Sequence, residues 1–592
     1  MPVPEVVRIP TGDGSTLAGD LFLPFGSGPW PALVTMLPYR RDSVAGAALW
    51  PLLKAFAARG YACLLVDPRG TGSSDGPARA PFDPAEADDG VAAVAWATSR
   101  PWCTGAVGMW GFSYGALLAL RTAARRVRGL RAVLALMPLL DPERDYVHPG
   151  GAAGLLNAQG MWAIGTLTNA LLPPLHDHHD PAERRRWEQR LAQVEPYLLD
   201  LHRHPPGHPV WRTRAVDPSE ITVPVFSVGG SRDMFADAAV RLYEGVQGPR
   251  KLVLGPWSHS LPSDASAHPV DLAAIAARWW DRWLLERRND IDTEPPITVH
   301  VHNGEWIDLD ELEPPGEPVR VARDPVWPAD DPTVGARGGL WGIPHGCGEP
   351  LDQHADDLRS VTFTGSELVA PLLLLGRPRV AFDGWNKGDA EARTVVRLTH
   401  VDRAGRSRLV SGGIGTGGTV LLDPTAYLVP TGHRLRIAIS GGAFPRVWPA
   451  PLPVNDWGAV RLSLPLSPDS PGKPTTLPDA QPSRADEPWL RHEPVWEIRE
   501  RPGHGVTVVV GEAFVADLPR GGTRVESRLR TAGTVHTGGS ADLEGEARTI
   551  ATLGSGARVV VDVGLRLTRD DLRLDGRVSI DGDVVADRRW RG

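Results

Sequence analysis

The stretch of residues 106–124 constrains the fold of this chain more than any other. It contains Gly111-Phe-Ser-Tyr-Gly115, a G-x-S-x-G pattern, between a short apolar run and a run with helical periodicity. A strand, a tight turn and a helix in that order expose the serine hydroxyl above a sheet, and the glycines leave room where side chains would clash. We therefore predict that Ser113 is a nucleophile at a strand-to-helix turn.

Apolar runs alternate with helical patterns over the N-terminal half of the chain, which favours parallel strands connected by helices. The predicted strands occupy residues 32–37, 62–66, 106–110, 131–137, 223–228, 250–254 and 297–301. Helical stretches interrupt the alternation at 141–219. We therefore predict a mostly parallel, doubly wound α/β sheet in two parts, residues 1–140 and 220–315, with a helical cap inserted at 141–219.

Residues 320–592 differ in character from the region before them. They contain many short runs of alternating apolar and polar residues, separated by glycine and proline. This pattern is typical of an all-β sandwich or jelly roll, and we predict a C-terminal jelly-roll domain over 320–592. A linker-like segment at 467–488 leaves open whether the residues after 490 complete that domain or form an extension or a separate β unit.

A serine nucleophile needs a neutral imidazole to accept its proton and a carboxylate to orient that imidazole. In a sheet of this kind the acid and the histidine follow the serine along the chain, each after a strand. Asp233 follows the predicted strand 223–228, and His259 follows 250–254. These positions predict Asp233 as the acid and His259 as the base.

Other residues remain alternatives for both roles. Asp217 precedes the strand at 223–228, and Asp237 falls in the helix that follows it. His268 is the alternative base, in a polar loop further along. The other interpretation of Asp233 itself is an N-cap of the helix at 234–243.

The oxyanion that forms during attack on a carbonyl needs two hydrogen-bond donors. One is expected to be the backbone N–H of Tyr114, the residue after the nucleophile. The second should come from Pro38-Tyr-Arg40, where proline has no N–H and Tyr39 offers its phenol. The alternative interpretation of Tyr39 is an amphipathic side chain at the rim of the sheet.

Several partner classes are disfavoured by the sequence. The net charge is −8, and no basic groove with interleaved aromatic residues is present, so we expect no nucleic-acid partner. The glycine-rich segment 67–76 fits neither the dinucleotide nor the P-loop pattern. His176-Asp-His-His-Asp180 is the one metal candidate, and we interpret it as a solvated helix start. The apolar runs are too short to span a bilayer and no signal peptide is visible, so we predict a cytoplasmic protein without cofactor, metal or membrane partner.

Four motifs together resemble the family of cocaine esterase and bacterial X-Pro dipeptidyl-peptidases. They are Leu37-Pro-Tyr-Arg40, Asp67-Pro-Arg-Gly-Thr-Gly-Ser-Ser-Asp-Gly76, Gly108-Met-Trp-Gly-Phe-Ser-Tyr114 and Gly255-Pro-Trp-Ser-His259. The resemblance implies an α/β-hydrolase domain with a helical cap and a C-terminal jelly roll. It also implies the site residues: a triad of Ser113, Asp233 and His259, oxyanion donors Tyr39 and Tyr114, and acyl-pocket residues Phe235 and Trp162.

Two departures from the family bear on the substrate. Relatives that hydrolyse α-amino acyl esters carry acidic residues directly after the triad acid, where this chain has Met234-Phe-Ala236. The X-Pro peptidases have a large N-terminal domain, whereas this chain enters the hydrolase pattern almost at once. We therefore expect a serine esterase that cleaves a small-molecule ester or amide with an uncharged acyl group. The alternatives are an X-Pro dipeptidyl-peptidase and, from another class, a carbohydrate- or partner-binding protein with a vestigial hydrolase domain.

Overall fold

The computed structural model of the protein describes residues 3–176, 180–314, 316–321, 331–339, 350–384, 393–450, 459–467, 472–480 and 490–592. The N-terminal α/β region holds the largest sheet within these ranges. Its strands are β1 (Glu5–Pro10), β2 (Thr16–Phe22), β3 (Trp30–Met36), β4 (Ala62–Val66), β5 (Cys103–Phe112), β6 (Leu130–Leu136), β7 (Val225–Gly230), β8 (Arg250–Gly255), β9 (Ile297–His300) and β10 (Trp306–Leu309). They lie in the order β1-β2-β4-β3-β5-β6-β7-β8-β9-β10. Pairing is parallel from β4 to β9 and antiparallel at both ends.

The order of the strands reverses beside β3. The chain runs outward from β3 to β4 and then crosses back to β5 on the other side. In open parallel sheets, sites form at the carboxyl ends of strands where such a reversal occurs. Tyr39 follows β3 and Ser113 follows β5, so two of the predicted site residues lie at this point.

Helices cover both faces of this sheet. The helices of the α/β region are α1 (Val44–Ala58), α2 (Glu86–Thr98), α3 (Tyr114–Ala124), α4 (Trp162–Leu171), α5 (Pro181–Gln193), α6 (Tyr197–Arg203), α7 (Val210–Arg214), α8 (Ala236–Gly245) and α9 (Leu272–Leu284), and the short α10 (His354–Asp357) lies in the β region that follows. The apolar side chains of α1 and α9 pack in one core, and those of α2 and α3 pack in another with the inserted helices. Helices α4 to α7, with π-helical turns at Glu143–Val147 and Leu156–Met161, form the insertion between β6 and β7. Within the described residues, no helix combines the length and the apolar character that crossing a membrane requires.

The chain after the α/β region is all β in its described parts, apart from α10. Its first strands are β11 (Val319–Arg320), β12 (Val361–Thr364), β13 (Leu372–Gly376), β14 (Arg379–Phe382), β15 (Thr394–Val401), β16 (Ser407–Gly415), β17 (Thr419–Leu421), β18 (Thr425–Val429), β19 (Arg434–Ser440) and β20 (Val460–Ser463). They pair antiparallel as β11-β20-β14-β17, β12-β19-β15-β16 and β13-β18. Side chains from all three sheets, such as Val380, Leu398 and Tyr427, share one apolar core. The two-residue strand β21 (Lys473–Pro474) pairs with β10 and so extends the first sheet.

The last hundred residues form one antiparallel meander. Its strands are β22 (Leu490–Arg501), β23 (Gly505–Asp517), β24 (Arg524–His536), β25 (Ala541–Thr552), β26 (Arg558–Leu567), β27 (Leu572–Ile580) and β28 (Asp583–Arg591), each paired with the next. One face of this sheet packs on the inserted helix α4. Ile164 lies over Gly545 and Leu171 over Gly576, where a Cβ atom would lie 2.1 and 2.7 Å from those side chains. These glycines let the helix approach the sheet closely.

A row of buried side chains joins the β region to the α/β region. His302 Nε2 lies 2.9 Å from Ser231 Oγ, and the His302 ring stacks on Tyr427. The Tyr427 hydroxyl lies 2.9 Å from His400 Nδ1. Burial lowers the pKa of His302, and burial with the neighbouring His433 lowers the pKa of His400 to about 4. These two imidazoles are therefore neutral at pH 7.

We expect the contribution of His302 and His400 to the free energy of unfolding to fall as the pH is lowered from about 6.5 towards about 4. A histidine whose pKa is lower in the folded chain stabilises the fold fully above its unfolded pKa, and loses that contribution as the pH falls towards the folded value. Urea midpoints at pH 7.5, 6 and 5 measure the effect. His400→Gln should reduce the slope of the midpoint with pH. An equal slope with pH in the wild-type protein and in His400→Gln would contradict this expectation.

Candidate active site

Ser113 occupies the sharp turn between β5 and α3. Its φ is +58° and its ψ is −121°, a conformation that residues with side chains rarely adopt. A Cβ atom on Gly111 would lie 2.1 Å from the carbonyl carbon of Gly115, so only glycine allows the strand and helix to meet this closely. The strained turn places the serine at the start of a helix and at the carboxyl end of a strand, as a nucleophile elbow requires.

The structure brings Ser113, His259 and Asp233 together in a line. Ser113 Oγ lies 2.9 Å from His259 Nε2, and His259 Nδ1 lies 2.9 Å from Asp233 Oδ1. Because the Asp233 carboxylate only accepts, Nδ1 carries the ring hydrogen and Nε2 is left to accept from the serine hydroxyl. Asp233 is 1% exposed, so its charge acts on the imidazole with little screening by water.

The alternatives for the acid and the base lie elsewhere. Asp217 caps the 3₁₀ turn Pro218–Glu220 and is exposed. Asp237 forms ion pairs with arginines rather than with a histidine. His268 is exposed, and its ring contacts the His300 ring at a tilt. Asp233 does not cap α8 either, because that helix begins at Ala236 with Phe235 in the N-cap position.

Tyr39 is the candidate for the second oxyanion donor, and it lies against Tyr114. Its ring contacts the Tyr114 ring edge-on, with the ring centres 6.3 Å apart. The indole Nε1 of Trp162 donates to the Tyr39 hydroxyl at 2.9 Å, so the hydroxyl hydrogen stays available for another acceptor. Burial raises the pKa of Tyr39 to about 12, and the phenol therefore keeps its proton at neutral pH.

The backbone N–H of Tyr114 is the other candidate donor. Tyr114 is the first residue of α3, and the first N–H groups of a helix have no acceptor within it. The Tyr114 side chain is held by two hydrogen bonds. Its hydroxyl donates to Glu86 Oε1 at 2.6 Å and accepts from the Phe82 N–H. Arg121 holds the other carboxylate oxygen of Glu86 at 2.9 Å. These contacts fix the N-terminal turn of α3 behind Ser113.

Aromatic side chains enclose the candidate triad. The Phe235 ring lies edge-on to the His259 ring at 5.3 Å, and the Phe112 ring is 4.7 Å from it. Tyr146 contacts both Phe235 and Trp162. The two residues assigned to the acyl pocket by resemblance are therefore joined by a third aromatic side chain from the insertion.

A cavity of about 400 Å³ borders this group at Met234, the residue after Asp233. Its other walls include His148 from the insertion and Ile414 from the β region. Ser113 is not among the described residues that line it, and Ser113 is only 9% exposed. The serine is therefore buried, and the described lining of the cavity reaches Met234 rather than Ser113.

The segment 176–180, considered above as a possible metal site, lies partly outside the described residues. His178, His179 and Asp177 lie outside the described residues. In the ranges that the structure covers, no three His, Cys, Asp or Glu side chains are grouped as metal ligands.

Residues 13–261 match the family model described as X-Pro dipeptidyl-peptidase (S15 family). This segment is an S15-family domain. Tyr39, Ser113, Asp233 and His259 all fall inside the S15 domain. The chain is also 29% identical over 339 residues to the cocaine esterase of Rhodococcus sp. (strain MB1 Bresler), a match that covers 51% of this chain and 58% of the esterase. The S15 domain is therefore similar to esterases and to X-Pro dipeptidyl-peptidases.

Solved structures show the same fold around the S15 domain. An α-amino acid ester hydrolase superposes with a TM-score of 0.62 at 19% identity, covering 78% of this chain and 96% of that one. A CocE/NonD family hydrolase from Staphylococcus aureus gives 0.57 at 16% identity, covering 78% and 93%. The fold class predicted from the sequence, an α/β hydrolase with an inserted helical part and a C-terminal all-β part, is confirmed.

Several side chains of this site were not singled out from the sequence. Tyr146 lies in a π-helical turn, where no simple periodicity points inward. The contact of Glu86 with Tyr114 joins residues 28 positions apart, a spacing that carries no local signal. Phe112 directly precedes Ser113 in the motif, so its closeness to the site was the one signal available.

Proposed function

We propose that the protein is a carboxylic-ester hydrolase that works through an acyl-enzyme on Ser113. The observation that carries the proposal is the pair of 2.9 Å contacts that join Ser113, His259 and Asp233 in series. Each of the three residues follows a parallel strand at its carboxyl end, where sites in such sheets form. The membership of this segment in a family of serine hydrolases supports the same chemistry.

The proposed reaction uses only side chains of this chain and water. His259 Nε2 takes the proton of Ser113 as its oxygen attacks the carbonyl carbon, and Asp233 stabilises the imidazolium that forms. The Tyr39 phenol and the Tyr114 N–H donate to the oxyanion. His259 then protonates the leaving alcohol, and a water molecule deprotonated by His259 releases the acid from Ser113.

The residues after Asp233 favour an uncharged acyl group. Met234, Phe235 and Ala236 carry no charge. The next acid, Asp237, has carboxylate oxygens 2.7 to 2.9 Å from nitrogens of Arg241, Arg377 and Arg144. Its charge is therefore already compensated and does not serve a substrate ammonium group.

The second candidate is an X-Pro dipeptidyl-peptidase, which the description of the matched family favours. Such an enzyme must bind a free N-terminal amine. Short-chain aryl esters and X-Pro anilides, compared on purified protein, separate the two candidates. Higher kcat/KM on the anilides would reject the esterase, and tight glycan binding without turnover of any acyl substrate would favour the binding-protein alternative.

Tyr39→Phe is expected to lower kcat about 10²- to 10³-fold with little change in KM, because it removes one of two proposed oxyanion donors. The loss should stay constant from pH 7 to 10, since the phenol with its pKa of about 12 is protonated throughout. Steady-state kinetics on an aryl ester measure both quantities. Tyr243→Phe, on the face of α8 that packs away from the triad, is the matched control. An unchanged kcat for Tyr39→Phe would reject this role of Tyr39.

A further inference from the structure

Arg40 is a buried arginine directly after Tyr39, in the loop that follows β3. It is 3% exposed, and its backbone φ is +74°. Positive φ is costly for a residue with a side chain, so surrounding contacts must hold it in place. The loop thus carries backbone strain next to the proposed oxyanion donor.

The five N–H donors of the Arg40 guanidinium all have acceptors. Nε and Nη2 each lie 2.9 Å from an oxygen of the Asp42 carboxylate. Nη1 donates to the carbonyls of Leu172 at 2.8 Å and Asn169 at 3.2 Å, and Nη2 donates to the Pro173 carbonyl at 2.6 Å. These carbonyls lie at the C-terminal end of α4, which is the negative end of its dipole and lacks intrahelical partners. The arginine therefore clamps that end of the helix.

The neighbouring residue holds the opposite end of the same helix. Trp162 is the first residue of α4, and its indole donates to the Tyr39 hydroxyl. A helix of ten residues is about 15 Å long, so Tyr39 and Arg40 bind α4 at both ends. Any shift of α4 along its axis would move Trp162 relative to the phenol.

The far side of α4 is held by the C-terminal sheet. Ile164 packs over Gly545 of β25, and Leu171 packs over Gly576 of β27. The helix is therefore fixed between the meander and the loop after β3. The position of the Tyr39 phenol depends on both.

We infer that Arg40 is a positioning residue, which fixes the Tyr39 phenol towards the oxyanion by clamping α4 and, through it, Trp162. The inference rests on the proposed function, because it requires Tyr39 to be an oxyanion donor. The Arg40 side chain contacts backbone and Asp42 rather than any reacting atom. Its loss should therefore lower kcat and leave KM almost unchanged, since a misplaced donor weakens the transition state and not substrate binding.

The first test is Arg40→Lys. Lysine keeps a cation beside Asp42, but its single nitrogen cannot reach both the carboxylate and three carbonyls. We expect kcat to fall about 10- to 100-fold, with KM changed less than about threefold. Activity is measured on an aryl ester, and active sites are titrated with a fluorophosphonate, so that unfolded protein does not enter kcat.

A double-mutant cycle separates positioning from general stability. In the Tyr39→Phe background, Arg40→Lys should change kcat less than about twofold, because the arginine acts through that phenol. The double variant Arg40→Met/Asp42→Asn removes both charges of the buried pair together. It should also lower kcat when Tyr39 is present and change kcat little in the Tyr39→Phe background. This variant replaces Arg40→Lys in the cycle if the lysine variant folds poorly. The control is Arg190→Met. Its guanidinium also donates to backbone carbonyls, but to those of Gly72 and Ser74, and kcat should stay within about threefold.

Three results would overturn the inference. If the losses in kcat of Arg40→Lys and Tyr39→Phe multiply in the double variant, Arg40 acts independently of Tyr39. If Arg40→Lys changes only KM, Arg40 serves substrate binding. If Tyr39→Phe alone leaves kcat unchanged while Ser113→Ala is inactive, the oxyanion assignment fails and the inference fails with it. Activity that persists in Ser113→Ala would instead identify a failure of the proposed function.

Discussion

Replacement of Ser113 by alanine is expected to lower kcat for ester hydrolysis on the order of 10⁶-fold and to abolish covalent labelling by a fluorophosphonate. In the wild-type protein the Ser113 hydroxyl lies 2.9 Å from His259 Nε2. The alanine variant lacks this hydroxyl, so no acyl-enzyme can form. Hydrolysis of a short-chain aryl ester measures the first effect. The intact mass after incubation with the probe measures the second, with one adduct expected in the wild-type protein.

The matched control for this experiment is Ser227→Ala. Ser227 lies in β7, and its hydroxyl donates to the Ala239 carbonyl rather than to the candidate triad. This variant should keep the probe adduct and most of the activity. Labelling that survives in Ser113→Ala would move the nucleophile to another residue and reject the proposed mechanism.

Asp233→Asn is expected to lower kcat about 10⁴-fold while KM changes little. An amide can donate to His259 Nδ1, which favours the tautomer with its hydrogen on Nε2, and that nitrogen then cannot accept the serine proton. The effect should appear equally in kcat and in kcat/KM. Steady-state kinetics with active-site titration measure it.

Asp217→Asn provides the comparison for the acid. In the sequence, Asp217 is an alternative to Asp233 as the triad acid. In the structure it caps an exposed 3₁₀ turn, so its replacement should change kcat less than about threefold. A large loss in Asp217→Asn together with full activity in Asp233→Asn would contradict the assignment. Equal small losses in both variants would mean that no carboxylate orients His259.

Chain order and strand ends were sufficient to choose the residues that the structure brings together. Ser113, Asp233 and His259 each follow an apolar run that could be recognised as a strand. Parallel strands end at the same edge of a sheet, so residues far apart in the chain become neighbours by topology alone. The turn at the nucleophile could also be predicted from its glycines, because a tight turn leaves no room for a Cβ atom at Gly111.

The contacts that hold Tyr39 and Tyr114 in place could not be predicted from chain order and strand ends. Helix α2 begins at Glu86, whose carboxylate binds Tyr114 and Arg121. The resemblance implies that Trp162 lines an acyl pocket, whereas the hydrogen bond that the structure gives its indole is with the Tyr39 hydroxyl. These contacts join segments whose spacing in the chain carries no periodic signal.

The sequence by itself determined the α/β class, the all-β character of the C-terminal part and the chemistry available at three strand ends. It could do so because strands, helices and tight turns have local patterns of hydrophobicity and glycine. Only the tertiary structure decided how α4 is held between Arg40 and the last sheet, and therefore where the Tyr39 phenol lies. That arrangement depends on packing between segments nearly four hundred residues apart, such as Ile164 and Gly545, for which no local pattern exists.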